Sequence, residues 1–256
     1  MSNIDPKTLR KAQLIMLDML VEFDKICQKY NLKYWLDSGT LLGAIRHQGF
    51  IPWDDDIDIS MPIEDYTKFI SIAQDELSND IFLQSTQTDN KFPFDYIKLR
   101  SNRAKIVEFH EKDRDIEYHQ GVFIDIFPML TIPNGSFYKE FYDNIFELIR
   151  STSAIGLHTP NGIDKPNIRH KLEEALKLMH LENGEKVIYG GEMPDISAWF
   201  DYNKVFPLQK IEFEGLEFYA PNNPYHYLEN LYTFNYMELP PLDKRATHAH
   251  EVIVHN

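Results

Sequence analysis

The chain has 256 residues, with 26 Lys and Arg against 40 Asp and Glu and a formal net charge of −14. That balance argues against a nucleic-acid groove, which holds phosphate backbones with clustered Lys and Arg. It does not exclude a phosphorylated small molecule, because a bound cation supplies positive charge locally. A hydrophobic content of 43% is ample for a substantial core, and the single cysteine, Cys27, excludes an internal disulfide and a Cys-rich zinc site.

The N-terminal stretch MSNIDPKTLRKAQ is polar and lacks the apolar core of a signal peptide, and no run reaches the ~18 apolar residues of a membrane span. A soluble cytoplasmic protein is the expectation. Peripheral membrane contact stays open, although the negative charge opposes binding to anionic lipid. Leu14, Leu17, Leu20, Val21 and Cys27 recur at helical spacing, which predicts a long amphipathic helix over 6–30 with the Cys27 thiol buried.

KYWLDSG then reads as a short strand entering a turn, and TLLGAIRH as a brief helix. After a Gly-Phe-Ile-Pro connection comes IPWDDDIDIS, in which Asp56-Ile57-Asp58-Ile59 alternates with the period of a half-buried strand. On a strand Asp54, Asp56 and Asp58 share one face, with successive Cα atoms roughly 6.5 Å apart, while Ile57 and Ile59 enter the core. Carboxylates so close repel unless neutralised, and their usual neutraliser is a hard divalent cation, Mg²⁺ or Mn²⁺. Asp55 points the other way and is assigned a structural role.

A second helix is predicted from near Glu64, followed by strands at 81–84, 96–100 and 121–127. Asp125, in the last of these, alternates with Phe123, Ile124, Ile126 and Phe127 and would be an expensive buried charge without a partner. That partner is either a metal or an N–H or arginine donor. Helical patterns follow at about 136–155 and 166–181, and then come Pro-, Tyr- and Phe-rich segments of less regular period. No linker or repeat interrupts the chain, so a single α/β (α+β) domain over 1–256 is expected, its core at about 30–130 wrapped by the part from about 131 to 256.

Three of only 11 glycines, Gly39, Gly43 and Gly49, fall in SGTLLGAIRHQG just before the aspartate strand. A Ser38-Gly39-Thr40 turn from strand to helix offers free N–H groups and a helix dipole to a phosphate, unless Ser38 merely caps a structural helix. Lys98 and Arg100 share a face of YIKLR, and with Arg46 they are candidates either for phosphate contacts or for a solvated edge. The ten histidines show no spacing that demands zinc, and His248 and His250 read as part of a polar tail.

SGTLLGAIRHQGFIPWDDDIDISM resembles the signature of the LicD family, which includes fukutin-related proteins and is similar in fold to nucleotidyltransferases. IKLR, GVFIDIFP, VFPLQKIEFEGLEFYAPNNPYHYLENLY and YMELPP extend the resemblance over roughly 30–250. It implies a nucleotidyltransferase-like mixed sheet flanked by helices, with a helical and irregular C-terminal part. The activity implied is transfer of a phospho-alcohol, phosphocholine in bacterial members, from a CDP-activated donor such as CDP-choline. The acceptor would be a hydroxyl of a glycan or lipid-linked glycan, such as a teichoic acid or surface saccharide precursor, at the inner face of the cytoplasmic membrane. Asp56 and Asp58 match the paired metal aspartates, Asp54 the acid opening that run, and Asp125 the carboxylate of a later strand, so these four are the expected catalytic and metal residues. Asp125 is open between metal ligand and general base.

Two other classes compete. A nucleotidyltransferase proper would attach NMP and release pyrophosphate with the same strand geometry. A calcium-binding module fits Asp54, Asp56 and Asp58 at loop positions 1, 3 and 5, but Ile59 stands where the loop needs glycine and Asp65 where it needs a bidentate Glu.

Overall fold

A computed structural model describes residues 4–152, 165–191, 198–232, 235–245 and 247–255. The expected first helix is α1 (Pro6–Tyr30). It begins where Asp5 accepts the Thr8 N–H at 3.0 Å and Pro6 takes a position whose N–H would have no helical partner, and it ends on Asn31 in the left-handed conformation. Met16, Met19, Leu20, Phe23 and Cys27 form one stripe, each at most 2% exposed, so Cys27 is the buried thiol its position predicts.

Strand β1 (Trp35–Leu36), helix α2 (Ser38–His47), strand β2 (Ile57–Pro62), helix α3 (Ile63–Glu76) and strand β3 (Ile81–Gln84) follow in the expected order. Strands β4 (Ile97–Glu108) and β5 (Gly121–Ile132) run well past their predicted ends. Helices α4 (Ser136–Thr152) and α5 (Lys165–Lys177) meet the two helical patterns, and the part of the first beyond Thr152 lies outside the described residues.

The last third is more regular than its composition suggests. It holds β6 (Lys186–Tyr189), β7 (Trp199–Asp201), the short helix α6 (Tyr202–Val205), the hairpin β8 (Gln209–Phe213) and β9 (Leu216–Ala220), helix α7 (Pro224–Tyr232) and strand β10 (Ala249–Val254). β6, β7 and β10 join the strands of the first half in one eight-stranded mixed sheet. The later part therefore completes the core sheet as well as covering it.

The sheet runs β1-β2-β5-β4-β10, with β3 also on β4 and β6–β7 continuing from β5. Among the described residues only β2 and β5 pair in parallel, and their register sets Asp58 beside Asp125, which in turn faces Lys98 across the antiparallel β4–β5 pair. The row one residue back is Ile57, Ile124 and Leu99, all at 0% exposure. One face of three adjacent strands thus carries carboxylate, carboxylate and ammonium, and the other carries aliphatic core against which α1 packs.

The two halves are also tied by a buried hydrogen-bond knot. Asp37, at 0% exposure, caps α2 through the Ser38 N–H at 2.6 Å and accepts from the hydroxyls of Ser60, Tyr189 (2.9 Å) and Tyr227 (3.1 Å). Asp37→Ala strands three buried hydroxyls and an N–H, and is expected to cost about 3–5 kcal/mol. Urea denaturation measures this, and a loss below about 1 kcal/mol would show the knot to be dispensable. Asp37→Asn, which keeps an acceptor oxygen, should lose less.

Candidate active site

A cavity of about 780 Å³ opens over the charged row of the sheet. Ser38, Gly39, Asp54, Asp56, Asp58 and Asp125 all line it, together with Lys98 and Arg46. The alternation of β2 aims Asp58 at the cavity, and the turn before the strand brings Asp54 and Asp56 alongside. Gly39 makes the approach of Asp54 feasible, since a Cβ there would sit 3.0 Å from Asp54 Oδ2. Gly43 answers a different need, because a Cβ would meet the Gly49 carbonyl at 2.5 Å.

Electrostatics explains the cost of this wall. Burial, and then repulsion from Asp56, Asp125 and Asp54, hold the Asp58 pKa well above the ordinary carboxylate range. Burial and repulsion from Asp56 and Asp55 do the same to Asp54. At Asp56 burial also favours protonation, but His248, Lys98 and contact with the Asp54 carboxyl outweigh it and lower the pKa. Asp125 is pushed up to about 6 by burial, against the pull of Lys98.

Lys98 is held in place on every side. Its Nζ lies 2.9 Å from Asp125 Oδ1 and donates to Oδ2 at 3.1 Å, and it stands 3.5 Å above the Phe123 ring. Oδ1 makes no hydrogen bond despite that short contact. The partner that Asp125 requires is thus a lysine, and neither Lys98 nor Arg100 lies on a solvated edge, their exposures being 2% and 1%.

Arg100 is a correction. Its Nε donates to Gln84 Oε1 at 2.7 Å and its Nη1 to the Gly121 carbonyl at 2.8 Å, so it braces β3 and β5 and does not line the cavity. The Thr40 hydroxyl accepts the Asp58 N–H at 2.8 Å, so what Thr40 offers a phosphate is its backbone N–H. Arg46 does line the cavity, with Nη1 committed to the Tyr236 carbonyl at 2.7 Å.

At the start of α2 the cap is Asp37 and not Ser38. Ser38 has φ 43°, a left-handed value that a residue with a Cβ adopts at a cost, and its buried Oγ lacks a hydrogen-bond partner. The Gly39 and Thr40 N–H groups make no hydrogen bond to a described residue. A hydroxyl and two amides are therefore free at the positive end of a ten-residue helix, the arrangement that receives phosphate.

The four aspartates do not close into a protein-only metal cage. Among the described residues, the groups of three or more carboxylate and imidazole donors lying mutually within 4.8 Å are Asp55–Asp56–His248 and Glu108–His110–Glu111. An open set suits a hard cation that takes one or two carboxylates and completes its shell with water and substrate phosphate. Asp56 and Asp58, with Asp54 beside them, offer that donor set.

His248 is the residue that sequence reading passes over. Its Nδ1 lies 3.1 Å from Asp56 Oδ2 and 3.3 Å from Asp55 Oδ1, and attraction to Asp56, then hydrogen bonding to Asp55, raises its pKa to about 12. With its imidazole set against two carboxylates, this trio is arranged as an ion-pair cluster. Asp55 has the structural role expected of it, accepting the backbone N–H groups of His248 (3.1 Å) and Ala249 and so anchoring β10. The period-two run AHEVIV was the signal for that strand.

Comparison with known proteins adds an independent line. Residues 31–148 match the family model for the LicD/FKTN/FKRP nucleotidyltransferase domain. The chain is 28% identical over 269 residues to the lipopolysaccharide cholinephosphotransferase LicD of Haemophilus influenzae, covering 94% of this chain and 96% of that protein. Shorter matches join it to the human ribitol 5-phosphate transferase FKRP, 45% identical over 16% of this chain and 8% of that one. The mouse ribitol-5-phosphate transferase FKTN is 32% identical over 29% of this chain and 16% of its own.

Proposed function

Residues 31–148 are a nucleotidyltransferase domain of the LicD/FKTN/FKRP type, and from that premise we propose that the chain is a phosphotransferase that moves a phospho-alcohol from a CDP-linked donor onto a glycan hydroxyl. Phosphocholine is the group favoured, because the relative matched over nearly the whole chain is named for cholinephosphate transfer to lipopolysaccharide. The observation that carries the reading is the wall of Asp54, Asp56 and Asp58 beside the free N-terminus of α2, an acidic cation seat next to a phosphate seat.

In the reaction the acceptor oxygen bonds to the donor phosphorus that carries the alcohol. The bond from that phosphorus to the bridging oxygen breaks, and CMP leaves with the electron pair. Mg²⁺ or Mn²⁺ at Asp56 and Asp58 would neutralise charge on the donor diphosphate. The Gly39 and Thr40 N–H groups and the Ser38 hydroxyl hold phosphate oxygens at the helix end. Asp125 takes the acceptor proton on Oδ1, with Lys98 fixing its carboxylate. A group with pKa about 6 is well matched to that task near neutral pH. Of the described aromatic residues between 199 and 236, Tyr232 and Tyr236 line the cavity and suit a quaternary ammonium.

The acceptor in this reading is a lipopolysaccharide or teichoic acid precursor, free or lipid-linked, met at the cytoplasmic face of the membrane. No helix of the described residues is long and apolar enough to cross a membrane. Recovery of the native protein in a fraction other than the cytoplasm or its membrane surface would count against that location.

The test is incubation with Mg²⁺ and a panel of CDP-alcohols, following CMP with and without a glycan acceptor. Acceptor-dependent CMP release from CDP-choline is expected. Failure with every CDP-alcohol would sink the proposal, and pyrophosphate release from a nucleoside triphosphate would favour nucleotidyl transfer instead.

A further inference from the structure

Strand β4 ends at Glu108 in a tight turn in which the Glu111 N–H donates to the Glu108 carbonyl at 3.0 Å and the Arg114 N–H to the Glu111 carbonyl at 3.0 Å. The turn gathers three donors that the transfer chemistry does not use. Glu108, His110 and Glu111 each offer an atom within 4.8 Å of the others, and Glu108 and His110 also line the cavity.

Two buried atoms there lack a hydrogen-bond partner. Glu111 is 2% exposed, and its Oε2 is occupied by the Glu108 N–H and Gln120 Nε2, both at 2.9 Å, whereas its Oε1 makes no hydrogen bond of ordinary geometry, although the Tyr118 hydroxyl lies near enough to favour the charged carboxylate. His110 Nε2 is likewise buried and unpartnered, and the nearest acid to Nδ1 is Glu108 Oε1, at 3.9 Å and beyond hydrogen-bond reach. Buried polar atoms normally have partners, so two orphans within one cluster point to an additional group.

We infer that Glu108, His110 and Glu111 form a second divalent-cation site, facing the same cavity but separate from the aspartate wall and of a different chemical class. One imidazole with two carboxylates suits a borderline ion such as Zn²⁺, whereas the all-oxygen aspartate wall suits a hard one. The geometry is close to binding distance. Tetrahedral donors about 2.1 Å from zinc lie about 3.4 Å apart, so donors that now lie within 4.8 Å of one another close on an ion through side-chain movements on the order of an ångström. The turn itself stays fixed, because Glu111 Oε2 and the backbone hold it while Oε1 binds. Three protein ligands leave zinc a fourth position open to water or to a substrate oxygen.

The test is titration of the metal-stripped full chain with Zn²⁺ by calorimetry in the presence of millimolar Mg²⁺, followed by Co²⁺ substitution and visible absorption. One equivalent of Zn²⁺ should bind, and Co²⁺ should give the intense bands of a low-coordinate site with nitrogen ligation. His110→Ala removes no hydrogen bond and should keep the melting temperature while weakening Zn²⁺ at least tenfold. Glu108→Gln, whose side chain also makes no hydrogen bond, should weaken it too. Asp56→Asn/Asp58→Asn should leave it unchanged. Absence of Zn²⁺ binding by the folded wild type, undiminished binding by both His110→Ala and Glu108→Gln, or loss of binding in the Asp56/Asp58 variant would each overturn the site. None of these outcomes depends on which group the enzyme transfers.

Discussion

Asp58→Asn is expected to lower turnover by at least about 10³-fold at saturating Mg²⁺ and, in the same protein without metal, to raise the melting temperature. The two effects share a cause. Asp58 is buried against Asp56, Asp125 and Asp54, so its charge is costly to the fold, and the proposed reaction needs that charge to hold a cation. The sign follows from its raised pKa. Ionisation of Asp58 destabilises the native state as pH rises from the unfolded value of about 3.9 through the higher folded one. Asparagine should therefore stabilise the protein at neutral pH and lose that advantage in acid. The gain in melting temperature is about 2–4 °C for each kcal/mol relieved in a chain of this size. Asp56→Asn should lose activity similarly but lose stability at neutral pH, because His248 lies against that carboxylate and favours its charged form in the fold. Near-normal turnover by either variant would remove the aspartate wall from the mechanism.

Asp125→Asn separates base from ligand. As the base, Asp125 must be ionised, so kcat/KM should rise with pH through about 6 and level off above it. The asparagine variant should lose that acidic limb and about 10²–10⁴-fold in the chemical step, while binding Mg²⁺ and donor as the wild type does. Weakened Mg²⁺ binding in calorimetry would make Asp125 a ligand instead. An unchanged rate with unchanged binding would reduce it to the structural partner of Lys98.

Much of this was written locally in the chain. The stripe from Met16 to Cys27 specifies α1, and the alternations around Asp58 and Asp125 specify two strands with charge on one face and aliphatic side chains on the other, because side-chain direction in a helix or strand depends only on near neighbours. Those patterns were enough to single out Asp54, Asp56, Asp58, Asp125 and Lys98, which the fold brings to one cavity, and the quoted motif was enough for the resemblance to the LicD family. Strand ends were less legible. β4 continues through the exposed Asn102 and Arg103 past a register shift, where a polar pair breaks the pattern that local reading follows.

Pairing and partner choice were decided only in three dimensions. The row Asp58–Asp125–Lys98 exists because β2 lies parallel to β5 and β5 antiparallel to β4, a register set by long-range packing of the aliphatic face. The burial of Arg100 is settled by Gln84 and the Gly121 carbonyl, which become its neighbours only when the sheet forms. His248 meets Asp55 and Asp56 only because β10 closes the edge of β4, bringing together residues 193 apart in the chain. Sequence dictates which faces carry charge, since that is a property of consecutive residues. Which charges then neutralise one another is a property of strand order, and local periodicity does not encode it.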